Sequence, residues 1–233
     1  MHEITQIRRL SLLIFLIPLV GINLCLLISQ NYQFLENTIF NVDQIGRSGF
    51  SIPYFDGGLS ISRASRTFPQ YLIFKPSMIL TALLVFFYWK NNNNLINYFN
   101  FTKINYKFKI FGIASAFFLA VHSILLGVEY DIKIFKLLRR VVLLSFIIFE
   151  IIAQAILVYH FYKLKNKLEK FISKKILVLK VILVSILASV AILSLPILID
   201  KGNTHFKHAL EWNYFVGVIS FYLLSNFFWR KTI

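Results

Sequence analysis

The chain has 233 residues and a formal net charge of +15, yet 58% of its residues are hydrophobic and only 15% are charged. A soluble domain carries about a quarter charged residues, so this composition excludes an ordinary water-soluble enzyme. The basic residues lie between long apolar runs rather than along one face or arm, which excludes a nucleic-acid binder and matches the way membrane proteins place Lys and Arg.

A helix needs about 20 apolar residues to cross the hydrocarbon core. In chain order, the runs 10–29, 71–89, 108–127, 141–162, 176–199 and 209–229 meet that length. The expected fold is therefore all-α: a single polytopic domain, a bundle of six transmembrane helices with a long first outer loop over 30–70. The first run follows Arg8 and Arg9. It is longer than a signal-peptide core and lacks a small-residue end, so it reads as a retained anchor. Pro18 and Pro196 fall inside spans, which membrane helices tolerate. Tyr88, Trp89, Tyr159, Tyr162, Trp212, Tyr214 and Trp229 sit at span ends, as an interfacial aromatic belt requires.

Six spans place both termini on one side. The segments on that side hold fourteen Lys and Arg against Glu3 and Glu169, a balance of +12. The opposite segments hold nine against six acids, a balance of +3. The positive-inside rule then puts both termini in the cytoplasm. The most basic segment, 163–175, reads as a topogenic loop and also as a contact for anionic headgroups. Asn91–Asn94 reads as linker, and the sequon Asn100-Phe101-Thr102, on the cytoplasmic side, is expected to be unmodified.

Ionisable groups inside spans are functional candidates by default. Lys75, His122 and Glu211, with Arg139, Arg140 and the loop residues Arg63 and Arg66, share one depth near the outer interface. A basic rim with one carboxylate suits an anionic headgroup; snorkelling of long side chains explains Arg139 and Arg140 as well. Lys75 and Glu211 read equally as a pair joining two helices. Glu150 is the deepest charge, with Gln154 one turn along the same face. A single deep acid is too little for a relay. Cys25 reads as a small apolar residue. The five histidines do not cluster, so neither a metal nor a cofactor is expected. Motifs for hydrolases, phosphate loops and zinc proteases are absent from the sequence.

Two segments, Leu59–Ile79 and Ala209–Phe215, resemble the family of six-span proteins that includes the FGF-receptor-activating protein, the damage-regulated autophagy modulators and the Golgi proteins that remodel GPI-anchor lipids. Ser60, Ile61, Ser62, Pro69, Gln70 and Phe74 stand where that family carries an Ile-Ser element followed by Pro and Glu or Gln. Glu211 and Trp212 match the opening of its last helix. The chain departs from the pattern at Arg63, where an acid is usual, and at Leu137–Arg140, where a His is usual. The resemblance implies an endomembrane (Golgi or lysosome) or plasma-membrane protein whose partners are membrane lipids and a possible protein in the same membrane. Its role would be binding, organising or assisting the remodelling of membrane or GPI-anchor lipids. Lys75, His122, Glu211, Trp212 and Arg63 would form the outer site. An intramembrane lipid-modifying enzyme is the alternative, and a small transporter the third.

Overall fold

Each apolar run becomes a helix, longer than the run itself for the first, second, fourth and sixth runs and shorter for the third and fifth. The structure, a computed structural model, describes residues 2–98, 107–128, 133–194, 196–197 and 202–230. Its long elements are α1 (His2–Gln30), α3 (Tyr71–Tyr98), α4 (Lys107–Leu125), α5 (Lys133–Leu164), α6 (Lys174–Leu193) and α7 (Thr204–Phe228), with the short α2 at Ile61–Ser65. No strand occurs among the described residues; Ile172 and Trp229 form an isolated bridge.

Among the described residues, five helices are long and apolar enough to cross a membrane: α1, α3, α4, α6 and the Leu137–Leu164 part of α5. That is the mark of a membrane-embedded chain. The helix α7 is also long, 25 residues, but His205, Lys207, His208, Glu211, Asn213 and Asn226 dilute its apolar character. The outward faces confirm the inverted solvent preference. Leu13, Leu16, Val20, Leu24 and Leu27 of α1 and Val178, Ile182 and Ile186 of α6 are all exposed, forming an apolar surface far larger than water tolerates.

The helix ends depart from the expected spans. Helix α1 starts at His2, not near Leu10, and α5 at Lys133, not Val141. Helix α6 ends at Leu193, before Pro196, so the expected 176–199 span stops short; residues 195 and 198–201 lie outside the described residues. The expected linker Asn91–Asn94 is instead the last part of α3. Asn is a poor helix former, but a neighbouring helix holds this run: Asn91 Nδ2 donates to Gln6 Oε1 of α1 at 3.3 Å and Asn93 is buried, while Asn92 bonds within α3 to the Tyr88 carbonyl at 2.9 Å. The sequon at Asn100 lies outside the described residues.

Each long helix packs on its sequence neighbours, and α7 closes on both α6 and α1. The result is a closed ring in the order α1, α3, α4, α5, α6, α7. Close approach needs small residues at contacts: a Cβ on Gly112 of α4 would run into the Trp89 ring of α3. The core divides into two apolar clusters. One, around Tyr88, Trp89, Phe161, Phe221 and Phe228, fills the end that carries the start of α1 and the finish of α7. The other, around Cys25, Leu59, Phe74, Leu119 and Trp212, fills the end covered by the 31–60 segment. These are called the terminal end and the loop end below. At the terminal end Asn226 and Arg8 exchange hydrogen bonds, Nδ2 to the Arg8 carbonyl at 2.8 Å and Arg8 Nε to the Asn226 carbonyl at 3.1 Å.

Candidate functional site

Two polar assemblies interrupt the apolar bundle. The first lies inside the ring. Glu150 of α5 is 1% exposed, and its carboxyl collects donors from three helices. Tyr222 Oη of α7 donates to Oε1 at 2.5 Å, Gln154 Nε2 to the same oxygen at 2.9 Å, and Ser115 Oγ of α4 to Oε2 at 2.6 Å. Glu150 and Gln154, one turn apart on the same face, are both buried inside the ring. Lys180 of α6 is not among the candidates the sequence singles out. The structure buries it to 1%. Its Nζ donates to Ser225 Oγ of α7 at 2.8 Å and lies 4.0 Å from the Phe221 ring centroid and 5.0 Å from that of Phe228.

Ser225 donates to the Phe221 carbonyl at 2.9 Å, so its oxygen accepts from both Lys180 and Tyr88 Oη, the latter at 2.9 Å. Tyr88 and Tyr222 meet edge-on with ring centroids 4.9 Å apart. Their hydroxyl protons run to opposite acceptors, Tyr88 to Ser225 and Tyr222 to Glu150. The interior therefore holds two separate hydrogen-bonded groups rather than one directed proton wire. Together they tie α3, α5 and α6 to α7 and α4 to α5, across the middle of the ring as well as around it. No i,i+4 or heptad signal marks Lys180. What could have flagged it is only that a lysine stands well inside an apolar run.

The second assembly is at the loop end, and it brings the two resemblance motifs together. Trp212 is fully buried; its Nε1 donates to the Leu59 carbonyl at 2.7 Å and its ring meets Tyr54 edge-on at 4.9 Å. The Glu211 carboxyl faces the backbone N–H groups of Ile61 and Ser62, the first turn of α2, where orphan donors favour an anion. Asn213 Nδ2 donates to the Tyr54 carbonyl at 2.7 Å; His205 and His208 ring nitrogens lie 3.1 and 3.0 Å from the carbonyls of Asp56 and Gly57. Gly57 sits at φ +60 with the His205 carbonyl where a Cβ would be, so only glycine fits this seam.

Residues 51–58 make a second knot under the seam. The Asp56 carboxylate accepts from Ser51 Oγ at 2.6 Å and from the N–H of Gly58 and Ile52, both at 2.8 Å. The Ser51 hydroxyl, then the Gly58 N–H, hold its carboxyl below the usual range. Ser60 caps α2, its Oγ accepting from the Arg63 N–H at 3.1 Å, the role its position before a helix implies. Ser62 is half-buried beside it. Pro69 and Gln70 are buried, and the Gln70 amide meets Ser29 Oγ of α1 at 3.2 Å. Cys25 Sγ lies 3.4 Å from the Gln70 carbonyl.

The cations of the expected outer site are spread around this seam. Lys75 rests over the Tyr71 ring at 5.4 Å, and no ion pair joins it to Glu211 among the described residues, because Glu211 is engaged by α2. Arg63 is exposed and donates from Nε to the Ile45 carbonyl at 3.1 Å. Arg139 stacks on Phe135 at 5.6 Å and acts electrostatically on His122. His122 Nδ1 is buried without a hydrogen-bond partner. Thus Glu211, Trp212, Ser60 and Ser62 come together, while Lys75, Arg63 and His122 stand as separate polar points at the same end.

No protein-family model, curated protein or solved structure matches the chain.

Proposed function

We propose that this chain is a six-span integral membrane protein with both termini in the cytoplasm, whose outer end engages the anionic headgroups of membrane lipids. In this reading α7 is the sixth crossing and the loop end faces the outer or lumenal side of an endomembrane or the plasma membrane. The role is to bind or organise lipid, or to assist its remodelling, GPI-anchor lipid included, as the resemblance to the six-span family implies. The observation that carries the reading is the state of the loop-end cations. Lys75, Arg63 and Arg139 contact rings or a carbonyl and no described carboxylate, and the nearby acid Glu211 is taken by the α2 backbone. Unneutralised cations at the headgroup level attract phosphate.

A second reading, an intramembrane lipid-modifying enzyme, rests on one observation: the unpartnered, buried Nδ1 of His122. A transporter is disfavoured by the opposed donor directions of the interior groups. The test is native mass spectrometry of protein purified in mild detergent, comparing wild type with Lys75→Ala and Arg63→Ala. Wild type should retain a specific anionic lipid in a copy number that both variants lower by one. Retention of only the bulk lipid mixture, unchanged in the variants, removes the headgroup reading. Loss of lipid turnover in His122→Gln with lipid binding intact would favour the enzyme.

A further inference from the structure

The opposite end of the bundle carries a groove between α1 and α3. Its polar lining comes from Gln6 and Arg9 of α1 and from Lys90, Asn91 and Asn94 of α3, around a volume of about 510 Å³. Its apolar lining is Leu10 and Phe87. Lys90, Asn91 and Asn94 lie on one side of α3 because they are spaced three and four residues apart. The Asn91 amide reaches across to Gln6 Oε1 at 3.3 Å, bridging the two helices. Arg9 and Lys90 are both exposed.

Depth decides what such a groove meets. Helix α3 has 28 residues, about 42 Å at 1.5 Å per residue, against about 30 Å of hydrocarbon. From Tyr71 the hydrocarbon is used up after roughly 20 residues, which sets Lys90 through Asn94 among the headgroups. Arg9 stands immediately before the apolar run of α1 and reaches the same level. Leu10 and the exposed Phe87, one turn toward the bilayer, face acyl chains. Topogenic cations need only be on the right side of the membrane; here two of them converge with three carboxamides on one concavity, within the size range of ligand pockets.

We propose that this groove is a binding site for the headgroup of an anionic phospholipid: Arg9 and Lys90 take the phosphate charge, Gln6, Asn91 and Asn94 hydrogen-bond its oxygens or the polar head, and the chains lie along Leu10 and Phe87. The site is at the far end from the proposed outer site and needs only that α1 and α3 cross the bilayer.

The test uses the full chain reconstituted in phosphatidylcholine vesicles containing spin-labelled phosphatidylglycerol or, in parallel, spin-labelled phosphatidylcholine. Electron paramagnetic resonance reports the motionally restricted lipid at the protein surface. Wild type should restrict the anionic label in clear preference to the neutral one. Arg9→Gln with Lys90→Gln should weaken that preference by roughly 30-fold at that site, the loss expected for two headgroup cations. Both side chains are exposed, so the double variant should fold. Lys107→Gln with Arg230→Gln, exposed cations outside the groove, controls for general charge and should leave the preference in place. Equal restriction of both labels by wild type, or a preference unchanged by Arg9→Gln with Lys90→Gln, overturns the assignment. Broadening of the phosphorus resonance of inorganic phosphate by wild type but not the double variant, without any lipid preference in vesicles, would also overturn it, marking a free-phosphate site. Variants at Lys75 and Arg63 leave this groove untouched, so failure of either site is read separately.

Discussion

Tyr222→Phe deletes one oxygen, and its effect should change sign with the state of Glu150. In the wild-type background the substitution removes one donor from a carboxyl that keeps two, Gln154 and Ser115. Hydrogen bonds between membrane helices average about 0.6 kcal/mol and reach about 1.7, because the unfolded chain in a membrane or micelle finds other partners. A loss of about 1 kcal/mol is therefore expected. In a Glu150→Leu background the acceptor is gone and the Tyr222 hydroxyl is buried without a partner. An orphaned buried hydroxyl costs about 1–3 kcal/mol, so Tyr222→Phe should there stabilise by about 1 kcal/mol. The coupling between the two positions is then about 2 kcal/mol, which exceeds the usual scatter of independent sites. The assay is unfolding in mixed dodecylmaltoside and SDS micelles, followed by tryptophan fluorescence, since Trp89 is buried in the same core cluster as Tyr222. If Tyr222→Phe destabilises both backgrounds by the same amount, the hydroxyl and the carboxyl are not partners and the interior group does not clamp the helices.

Lys180→Met should shift stability by no more than about 1 kcal/mol, since the lost serine bond and cation–π contacts are offset by relief of burying an ammonium; the same micelle titration would refute this by showing a loss above roughly 2 kcal/mol. Trp212→Phe keeps an aromatic ring but removes the bond to the Leu59 carbonyl, about 1 kcal/mol, and part of the buried indole volume. Hydrogen exchange in residues 54–62 should accelerate several-fold, and unchanged exchange would show that the seam does not depend on that bond. The Asp56 carboxyl is held below its usual value in the folded state, so the order it confers on 51–58 is complete above the ordinary aspartate pKa near 3.9 and is lost as pH falls through the lower folded value. Limited proteolysis by an acid-active protease should find this segment protected at pH 5 and increasingly cut at lower pH, with Asp56→Asn cut at both; protection that does not vary with pH in wild type would contradict the assignment.

The membrane character was legible in the sequence because it is a local property. A run of about 20 apolar residues demands a helix across the bilayer whatever its neighbours do, and five of the expected spans appear as helices that meet this criterion. The less apolar α7 shows where the local signal thins. The pairing of Glu150 with Gln154 was also legible, since it is set by spacing within one helical turn. The helix ends were not, because an Asn run continues α3 only where a neighbouring helix holds it, as Gln6 of α1 holds Asn91.

What only the tertiary structure decided is which distant groups meet. Lys180 and Ser225 are 45 residues apart, Trp212 and Leu59 are 153 apart, and Tyr222 and Glu150 are 72 apart. No periodicity in one helix announces a partner on another. The sequence by itself determined that this chain is built for a membrane, because hydrophobicity acts residue by residue. The closing of α7 onto α1 decided the rest: it engaged Glu211 with α2, left Lys75 on a ring face, and enclosed Lys180, because a buried polar group takes whichever donor or acceptor the packed ring brings within reach.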